Sequence, residues 1–199
     1  MGDAKSLLGG TLLVTALQGA DGEIYAVAQG SVQTGAVSAS GGSGSSVTRG
    51  VPTAGRIASV EEKPGHVRIV GDATAAYQVA NPLVQKVLRE THFVNDSYFV
   101  IVDEVECSEP QELQWLCHTL GAPQTGRSSF RYNGQKAGFY GQFVYSSAGT
   151  PQISAVEGFP DIDPKEFEGL DIHHHVCATA PAATRHRLVT LLVPYSLKE

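Results

Sequence analysis

The chain is poor in cysteine: 199 residues contain only Cys107, Cys117 and Cys177. Three thiols form at most one bridge and leave one over, which excludes a disulfide scaffold. It also lacks a basic excess, with 14 Lys+Arg against 20 Asp+Glu and a formal net charge of -6. Tight non-specific nucleic-acid binding needs clustered cations that displace counterions from phosphates, so no nucleic-acid partner is expected. No apolar run approaches the roughly 18 to 20 residues of a bilayer-spanning helix, so no membrane span is expected either. Internal repeats and sustained heptads are missing, which sets aside solenoids and coiled coils. What is left, 42% hydrophobic and 17% charged, is the composition of a globular protein of one or two modest domains.

The scarcities are uneven. Residues 1–60 hold six charged residues, Asp3, Lys5, Asp21, Glu23, Arg49 and Arg56, which sum to zero, together with 12 of the 22 glycines, one aromatic (Tyr25) and no histidine. Residues 61–199 carry the whole -6, all seven histidines, the single Trp, all seven Phe and six of the seven Tyr. Two statistically different sequences join near residue 60, dividing the chain into 1–60 and 61–199.

Lys5 followed by the apolar stretch Ser6 to Leu17 and by Gln18-Gly19-Ala20 has the outline of a signal peptide. Asp3 cancels the initial charge and Gly9-Gly10 interrupt the run, so no convincing signal peptide is read here. The segment reads better as a strand at Thr11 to Thr15. Asp21-Gly22 before Ile24 to Ala28 is a hairpin signal, because Asp-Gly readily adopts the positive φ of a tight turn. Gly35 to Gly50 is almost entirely Gly, Ser, Ala, Val and Thr, which predicts a long flexible loop. It lacks the lysine of a phosphate-cradling GxxxxGK[ST] loop.

Gly-Asp-Ala-Lys-Ser-Leu at 2–7, Gly-Gly-Thr-Leu-Leu at 9–13, Leu-Gln-Gly-Ala-Asp-Gly-Glu-Ile-Tyr-Ala-Val-Ala-Gln-Gly at 17–30, and Pro52-Thr53-Ala54-Gly55-Arg56-Ile57 stand in order after one another. Residues 2–58 thereby resemble an internal segment of the flagellar P-ring protein family. The resemblance implies a periplasmic structural subunit around the flagellar rod, with ring or rod subunits as partners and no enzymatic chemistry.

From Val67 onward short strands alternate with turns: Tyr98 to Val102, a polar turn at Ser108-Glu109-Pro110, Leu113 to Leu120, Gly138 to Tyr145, Ile153 to Val156, Ile172 to Thr179 and Arg187 to Val193. Such spacing predicts an all-β fold, an antiparallel β-sandwich preceded by a small Gly/Ser-rich β-hairpin segment. Periodicity leaves Pro82 to Phe93 open between helix and strand.

Gly71-Asp72-Ala73-Thr74-Ala75-Ala76-Tyr77, the run Arg89 to Phe93, Tyr98 to Val105, Trp115-Leu116-Cys117-His118-Thr119 and Leu188 to Pro194 resemble the C-terminal β-sandwich of heparinase II/III-like polysaccharide lyases. On that resemblance Pro82 to Phe93 is strand. That family is expected to be secreted or periplasmic and to cleave acidic polysaccharide by β-elimination. A helical toroid supplies its Tyr and His or Asn, and a zinc in the sandwich is held by two His and one Asp. By motif, Asp72 and His118 are the zinc-ligand candidates. The third ligand and a catalytic histidine would come from a His-Asn-Thr-type strand just upstream, yet no histidine precedes His66. The expectation is a lyase-type module, catalytically incomplete and inactive in isolation, within an apparent chimera. The alternative is a P-ring-like structural protein of the basal body.

Other residues are weighed from their own chemistry. Zinc takes three or four N, O or S ligands, so Asp72 and His118 alone would hold it weakly, with His66 a possible third; packing in the core is the other reading of His118. In a strand His173, His175 and Cys177 share one face with Asp171, either a metal cluster or simply a His-rich surface strand. Asp161, Asp163, Glu166 and Glu168 lack the spacing and glycine of a calcium loop and read as an acidic turn with a short helix at Pro164 to Phe167. There is no Gly-x-Ser-x-Gly elbow, and Cys117 and His118 face opposite sides of a strand, so no nucleophilic dyad is read. Arg127, Arg131, Tyr132, Tyr140 and Tyr145 could line a sugar-binding face, since Arg pairs with uronate carboxylates and aromatic faces stack on pyranose rings. They are explained as well by an ordinary sandwich surface.

Overall fold

The computed structural model describes residues 14–18, 24–28, 35–37, 55–158 and 174–197. The fold is all-β. In chain order the strands are β1 (Val14–Gln18), β2 (Ile24–Ala28), β3 (Gly35–Val37), β4 (Arg56–Lys63) and β5 (His66–Asp72), then the helix α1 (Thr74–Ala80), then β6 (Val84–Val94), β7 (Tyr98–Thr119), β8 (Gln124–Thr125), β9 (Ser129–Asn133), β10 (Ala137–Ser146), β11 (Gln152–Glu157) and β12 (His174–Ser196). Every strand pairing is antiparallel. The described helix is far too short to cross a membrane.

The architecture follows from two very long strands. β7 and β12 pair along their whole length, but the register slips between Ala180 and Ala183 and again between Ala183 and Arg185. On one side of this corner β7 pairs β6, and β12 pairs β10, so that the strand order is β4-β5-β6-β7-β12-β10-β9-β8. On the other side β7 pairs β1, and β12 pairs β11, giving β3-β2-β1-β7-β12-β11. The two layers face each other across the corner. Trp115 of the second layer packs edge-on against Phe143 of the first, centroids 5.1 Å apart, and against Phe130 at 5.6 Å. Bulges of this kind re-aim a strand and let it serve both sheets.

This continuity differs from the expected break at Ser108-Glu109-Pro110 and from separate strands at Ile172 to Thr179 and Arg187 to Val193. Proline cannot donate to a ladder and is confined to positions where no bond is needed. Pro110 falls in the stretch of β7 that skips β12 pairing, and Pro181 falls in the slip of β12. Both prolines therefore mark the corner and not a chain reversal. The stretch Pro82 to Phe93 is strand, as β6.

The inner face of β7 runs Ile101, Asp103, Val105 and Cys107, then Leu113, Trp115 and Cys117, all buried. One part of the core gathers Ile101, Trp115, Cys117, Phe130, Phe143, Val176 and Leu188. The other gathers Val84, Val87, Val105 and Leu113 under Ala76 and Tyr77 of α1. That helix ends because Pro82 disfavours helical backbone at Asn81. Asn81 then folds its side chain back, its Oδ1 accepting the Leu83 N–H at 3.0 Å.

Two turns position the remaining features. Pro64-Gly65 closes β4 onto β5, and Gly65 supplies the φ of +72° that a type II turn demands at its second central residue. Asn95 and Asp96 take positive φ between β6 and β7, a conformation these short polar side chains tolerate. The Asn95 N–H donates to the Gly65 carbonyl at 2.7 Å and ties the turns together. At the other end, β1 pairs β2 from Val14↔Ala28 to Gln18↔Ile24 and pairs β7 from Val14↔Leu116 to Leu17↔Leu113. The N-terminal hairpin is thus hydrogen-bonded into the second layer.

Candidate functional site

Asp72 ends β5, where its Oδ1 accepts the Thr74 N–H at 3.0 Å and its Oδ2 accepts from Arg56 Nη2 at 3.1 Å. Hydrogen bonds from Thr74, with Arg56 adding to them, hold this carboxyl below its ordinary range. His118 lies on the other layer, in the second half of β7, directly opposite His175 of β12. Their rings are 5.3 Å apart between centroids and tilted by 40°. Burial, then the neighbouring His174, push the His175 imidazole below its usual pKa, which keeps it neutral near pH 7. His174 approaches Glu157 at 3.9 Å.

The structure therefore pairs His118 with His175, while Asp72 is engaged with Arg56 and Thr74. Among the described residues no group of three or more His, Cys, Asp or Glu side chains is arranged to hold a metal ion. Asp72 and His118 by themselves do not make the zinc fit. Cys177 is within a strand position of His175 on the same face, but its Sγ lies 3.8 Å from Thr179 Oγ1 and burial raises its thiol pKa. Cys117 lies on the opposite face from His118, fully buried, its thiol pushed up to about 12 by burial. His173, Asp171 and the acidic stretch Asp161, Asp163, Glu166, Glu168 with its short helix lie outside the described residues.

The sugar-face candidates separate. Arg131 and Tyr140 are register partners on β9 and β10 and so share one face. The Arg131 guanidinium lies 5.9 Å from the ring centroid of Tyr195 on β12. Tyr195 lies over Gly138, where a Cβ would come within 2.8 Å of its ring, and its hydroxyl donates to Asn133 Oδ1 at 2.6 Å. Tyr140 donates to Gln142 Oε1 at 3.2 Å. The result is an exposed Arg-Tyr platform whose central ring, Tyr195, was not among the expected residues. Alternation along the last strand was the signal that could have found it. Tyr145 is exposed further along β10, Tyr132 packs on Phe139, and Arg127 projects from the turn before β9.

A second polar group escaped the sequence reading. His92 of β6 and His66 of β5 lie with Nδ1 and Nε2 2.9 Å apart and ring planes within 10°. Face-stacked rings keep about 3.5 Å or more between atoms, so these rings meet edge to edge through a hydrogen bond. His92 Nε2 contacts Glu90 Oε1 at 2.7 Å, and Arg68 grips the same carboxylate at 2.6 and 2.8 Å. The Arg68 contact holds Glu90 below its normal pKa. His66 borders a cavity of about 440 Å³ lined also by Lys63, Phe93 and Asp96. His66 is thus committed to His92 in this arrangement, and does not join Asp72 and His118.

Comparison with known proteins divides the chain as its composition does. Residues 1–100 match the family model of the flagellar P-ring protein. The flagellar P-ring protein of Caulobacter vibrioides is 84% identical over 58 residues, which are 29% of this chain and 16% of that protein. That of Legionella pneumophila (strain Corby) is 49% identical over 83 residues, 42% of this chain and 21% of that protein. The chain thus spans only a small fraction of the curated relatives it matches. Among solved structures, the heparan sulfate lyase HepC from Pedobacter heparinus superposes with a TM-score of 0.57 at 14% identity, over 75% of this chain and 23% of that one. A heparinase III superposes with a TM-score of 0.55 at 16% identity, over 72% of this chain and 22% of that one. At such identity the likeness is one of fold. Because the family match reaches residue 100 and the fold match covers 75% of the chain, the two overlap in the strands that begin the sandwich.

Proposed function

The chain belongs to the flagellar P-ring protein family, and on that premise we propose that it is a structural, non-enzymatic periplasmic subunit that docks on the ring or rod of the flagellar basal body. The observation that carries this reading is the register of β1 on β7, Val14↔Leu116 to Leu17↔Leu113. It makes the P-ring-like hairpin a strand of the sandwich, so that this segment is presented on a rigid layer. Epitope-tagged protein expressed in a flagellated Caulobacter host should co-sediment with purified basal bodies. Recovery only in the soluble periplasmic fraction, with none on basal bodies, would overturn the reading.

A second reading is supported by the Arg131-Tyr195-Tyr140 platform and the heparinase-like fold: a lyase-type module that binds acidic polysaccharide without cleaving it. Guanidinium pairs with uronate carboxylates, and an exposed tyrosine ring stacks on pyranose. β-Elimination needs a base within about 2.6–3.2 Å of the proton it removes, together with a group that stabilises the developing negative charge. In this reading Arg127, Arg131 and Tyr140 bind sugar. Zinc held through Asp72 and His118 would require Asp72 to release Arg56 and a further ligand to come from outside the described residues. Incubation with heparan sulfate or oligoalginate should yield no unsaturated uronate absorbance, and titration calorimetry should show binding that weakens in Arg131→Ala. Turnover, or binding untouched by Arg131→Ala, would count against this second reading, and metal analysis of wild type and His118→Ala tests the zinc.

A further inference from the structure

The strand β4 has β5 on one side and, among the described residues, no strand on the other. Its outward side chains are conspicuous for an edge: Ile57 and Val60 are each 61% exposed, and Ile69 beside them is 37% exposed. An open edge with apolar side chains is a template for strand addition. We propose that this edge is an interface between two copies of the chain, joined antiparallel through β4 about a two-fold axis. The inference is independent of what the basal-body reading says about partners.

The occupant is named by the sequence of the strand itself. Arg56 pairs Asp72 and Glu61 pairs Arg68 across the β4–β5 ladder, while Ile57 faces Gly71 and Val60 faces Ile69. The register slips between Ile57 and Ser59, so Ala58 is a bulged residue. The slip places Ile57 and Val60 on one face, the face that continues into the sandwich interior through Ile69. Arg56, Ser59 and Glu61 lie on the other. Directly opposed residues in an antiparallel pair share a face, so a self-pairing register must match like face with like.

Only one register does so. With Ala58 opposite Ser59 of the second copy, Ile57 opposes Val60 and Arg56 opposes Glu61, each pair occurring twice by symmetry. Apolar meets apolar on the inner face, opposite charges meet on the outer face, and the two smallest side chains meet at the axis. Sliding the second copy so that Arg56 opposes Lys63 sets like charges against each other and Ile57 against Glu62. Centring the pairing on Val60 sets Ile57, an inner-face residue, against Lys63 of the outer face. Centring it on Ser59 sets Ile57 against Glu61 with the same mismatch. Cross-strand pairs of the favoured kinds are the unit of sheet stabilisation, and an isologous contact uses each of them twice.

The charges are available for the contact. The Arg56 side chain is 76% exposed and spends its guanidinium on Asp72 at 3.1 Å, leaving donors over. The Glu61 side chain is 51% exposed, with one oxygen on Arg68. Neither must abandon its own partner to reach the other copy.

The test is sedimentation equilibrium of the full chain over a wide concentration range, against its 21.0 kDa monomer mass. A monomer–dimer equilibrium is expected. Val60→Lys, at an exposed position that leaves the fold intact by circular dichroism, should weaken dimerisation at least tenfold. Arg56→Glu should weaken it as well, and the double variant Arg56→Glu with Glu61→Arg should restore it, because the opposed pairs are then recreated with signs exchanged. A purely monomeric wild type up to millimolar concentration, or a dimer that survives Val60→Lys, overturns the proposal. Failure of the double exchange to restore the dimer overturns the register.

Discussion

The two flanks of the long layer, β4–β6 on one side of the β7–β12 pair and β8–β10 on the other, are held by different physics. The β8–β10 flank is bound to the opposite layer by aromatic packing: Phe130 and Phe143 converge on Trp115, and Phe139 meets Phe130 edge-on. Phe130 lies so close to Gly141 that no side chain fits there. The β4–β6 flank is laced instead by partly exposed ion pairs, Arg68 with Glu61 and Glu90, and Lys86 with Glu104 and Glu106. Between the flanks lies one buried exception, Arg89 Nε donating to Asp103 Oδ1 at 2.6 Å while Trp115 Nε1 donates to Asp103 Oδ2 at 3.1 Å. The difference teaches where stability is concentrated. Burial of large rings contributes several kcal/mol per side chain, whereas an exposed pair contributes about 1 kcal/mol or less.

The hardest way to strain this comparison is Trp115→Ala. The side chain is fully buried, and truncating a buried Phe or Trp costs about 3–5 kcal/mol. The change also removes the indole donor from Asp103. The urea midpoint should fall steeply and near-ultraviolet dichroism should collapse. A loss under about 1 kcal/mol would mean that the aromatic flank does not anchor the two layers.

Next in size is Gly138→Ala, aimed at the same flank from outside. A Cβ there would come within 2.5 Å of the Tyr132 carbonyl oxygen and 2.8 Å of Tyr195. Overpacking of this kind costs about 1–3 kcal/mol, and Tyr195 should be displaced from Arg131. Tyr195 fluorescence or chemical shift would report the displacement. An unshifted Tyr195 with unchanged stability would show that the platform tolerates a looser backbone than the structure has.

Much of this was legible in the chain. The Asp21-Gly22 turn signal stands between two strands that do pair, and alternation in Tyr98 to Val105 does place Ile101, Asp103 and Val105 on the inner face. What local pattern could not carry is register. Pro110 and Pro181 read as chain reversals until the long-range ladder shows that both fall where β7 and β12 slip past one another. The pairing of His118 with His175 spans 57 positions and that of His66 with His92 spans 26, distances over which neither composition nor periodicity is informative. The helix α1 was hidden because Asp72 to Tyr77 matched a strand-rich motif, while its alanines and the following Pro82 define a short helix locally.

Acid should strain the layers unequally. His175 has its pKa lowered by burial first and His174 second. In the unfolded chain it takes up its proton near the ordinary 6.5, so between that value and the lower folded one the unfolded state binds more protons. Stability is therefore complete above pH 6.5 and declines as pH falls below it. Glu90 and Asp72 are also depressed, so their contribution is present above the ordinary carboxylate range and is lost only in more strongly acidic solution. Urea midpoints measured from pH 8 to pH 3 should show a first decline that His175→Gln removes and a second that it does not. A single decline confined to the carboxylate range would show that His175 is as solvated as an ordinary histidine.

The smallest effect tests the charged flank directly. Lys86 Nζ lies 2.7 Å from Glu104 Oε2 and 3.6 Å from Glu106 Oε1, each side chain about a third exposed. Glu104 retains Arg187 at 3.6 Å and Glu106 retains Arg185 at 3.8 Å when the lysine is removed. Lys86→Ala should therefore cost about 1 kcal/mol or less, because exposed pairs gain little and the two carboxylates keep other cations. The loss should shrink further in 1 M salt, where the screening length drops to about 3 Å. Wild-type and variant denaturation curves compared at low and high salt read this out against Trp115→Ala, whose penalty arises from packing and should be almost indifferent to salt. If the Lys86→Ala penalty instead matched that of Trp115→Ala and persisted at high salt, the ion-pair lattice would be holding β6 to β7 as firmly as the rings hold the other flank, and the contrast between the two flanks would fail.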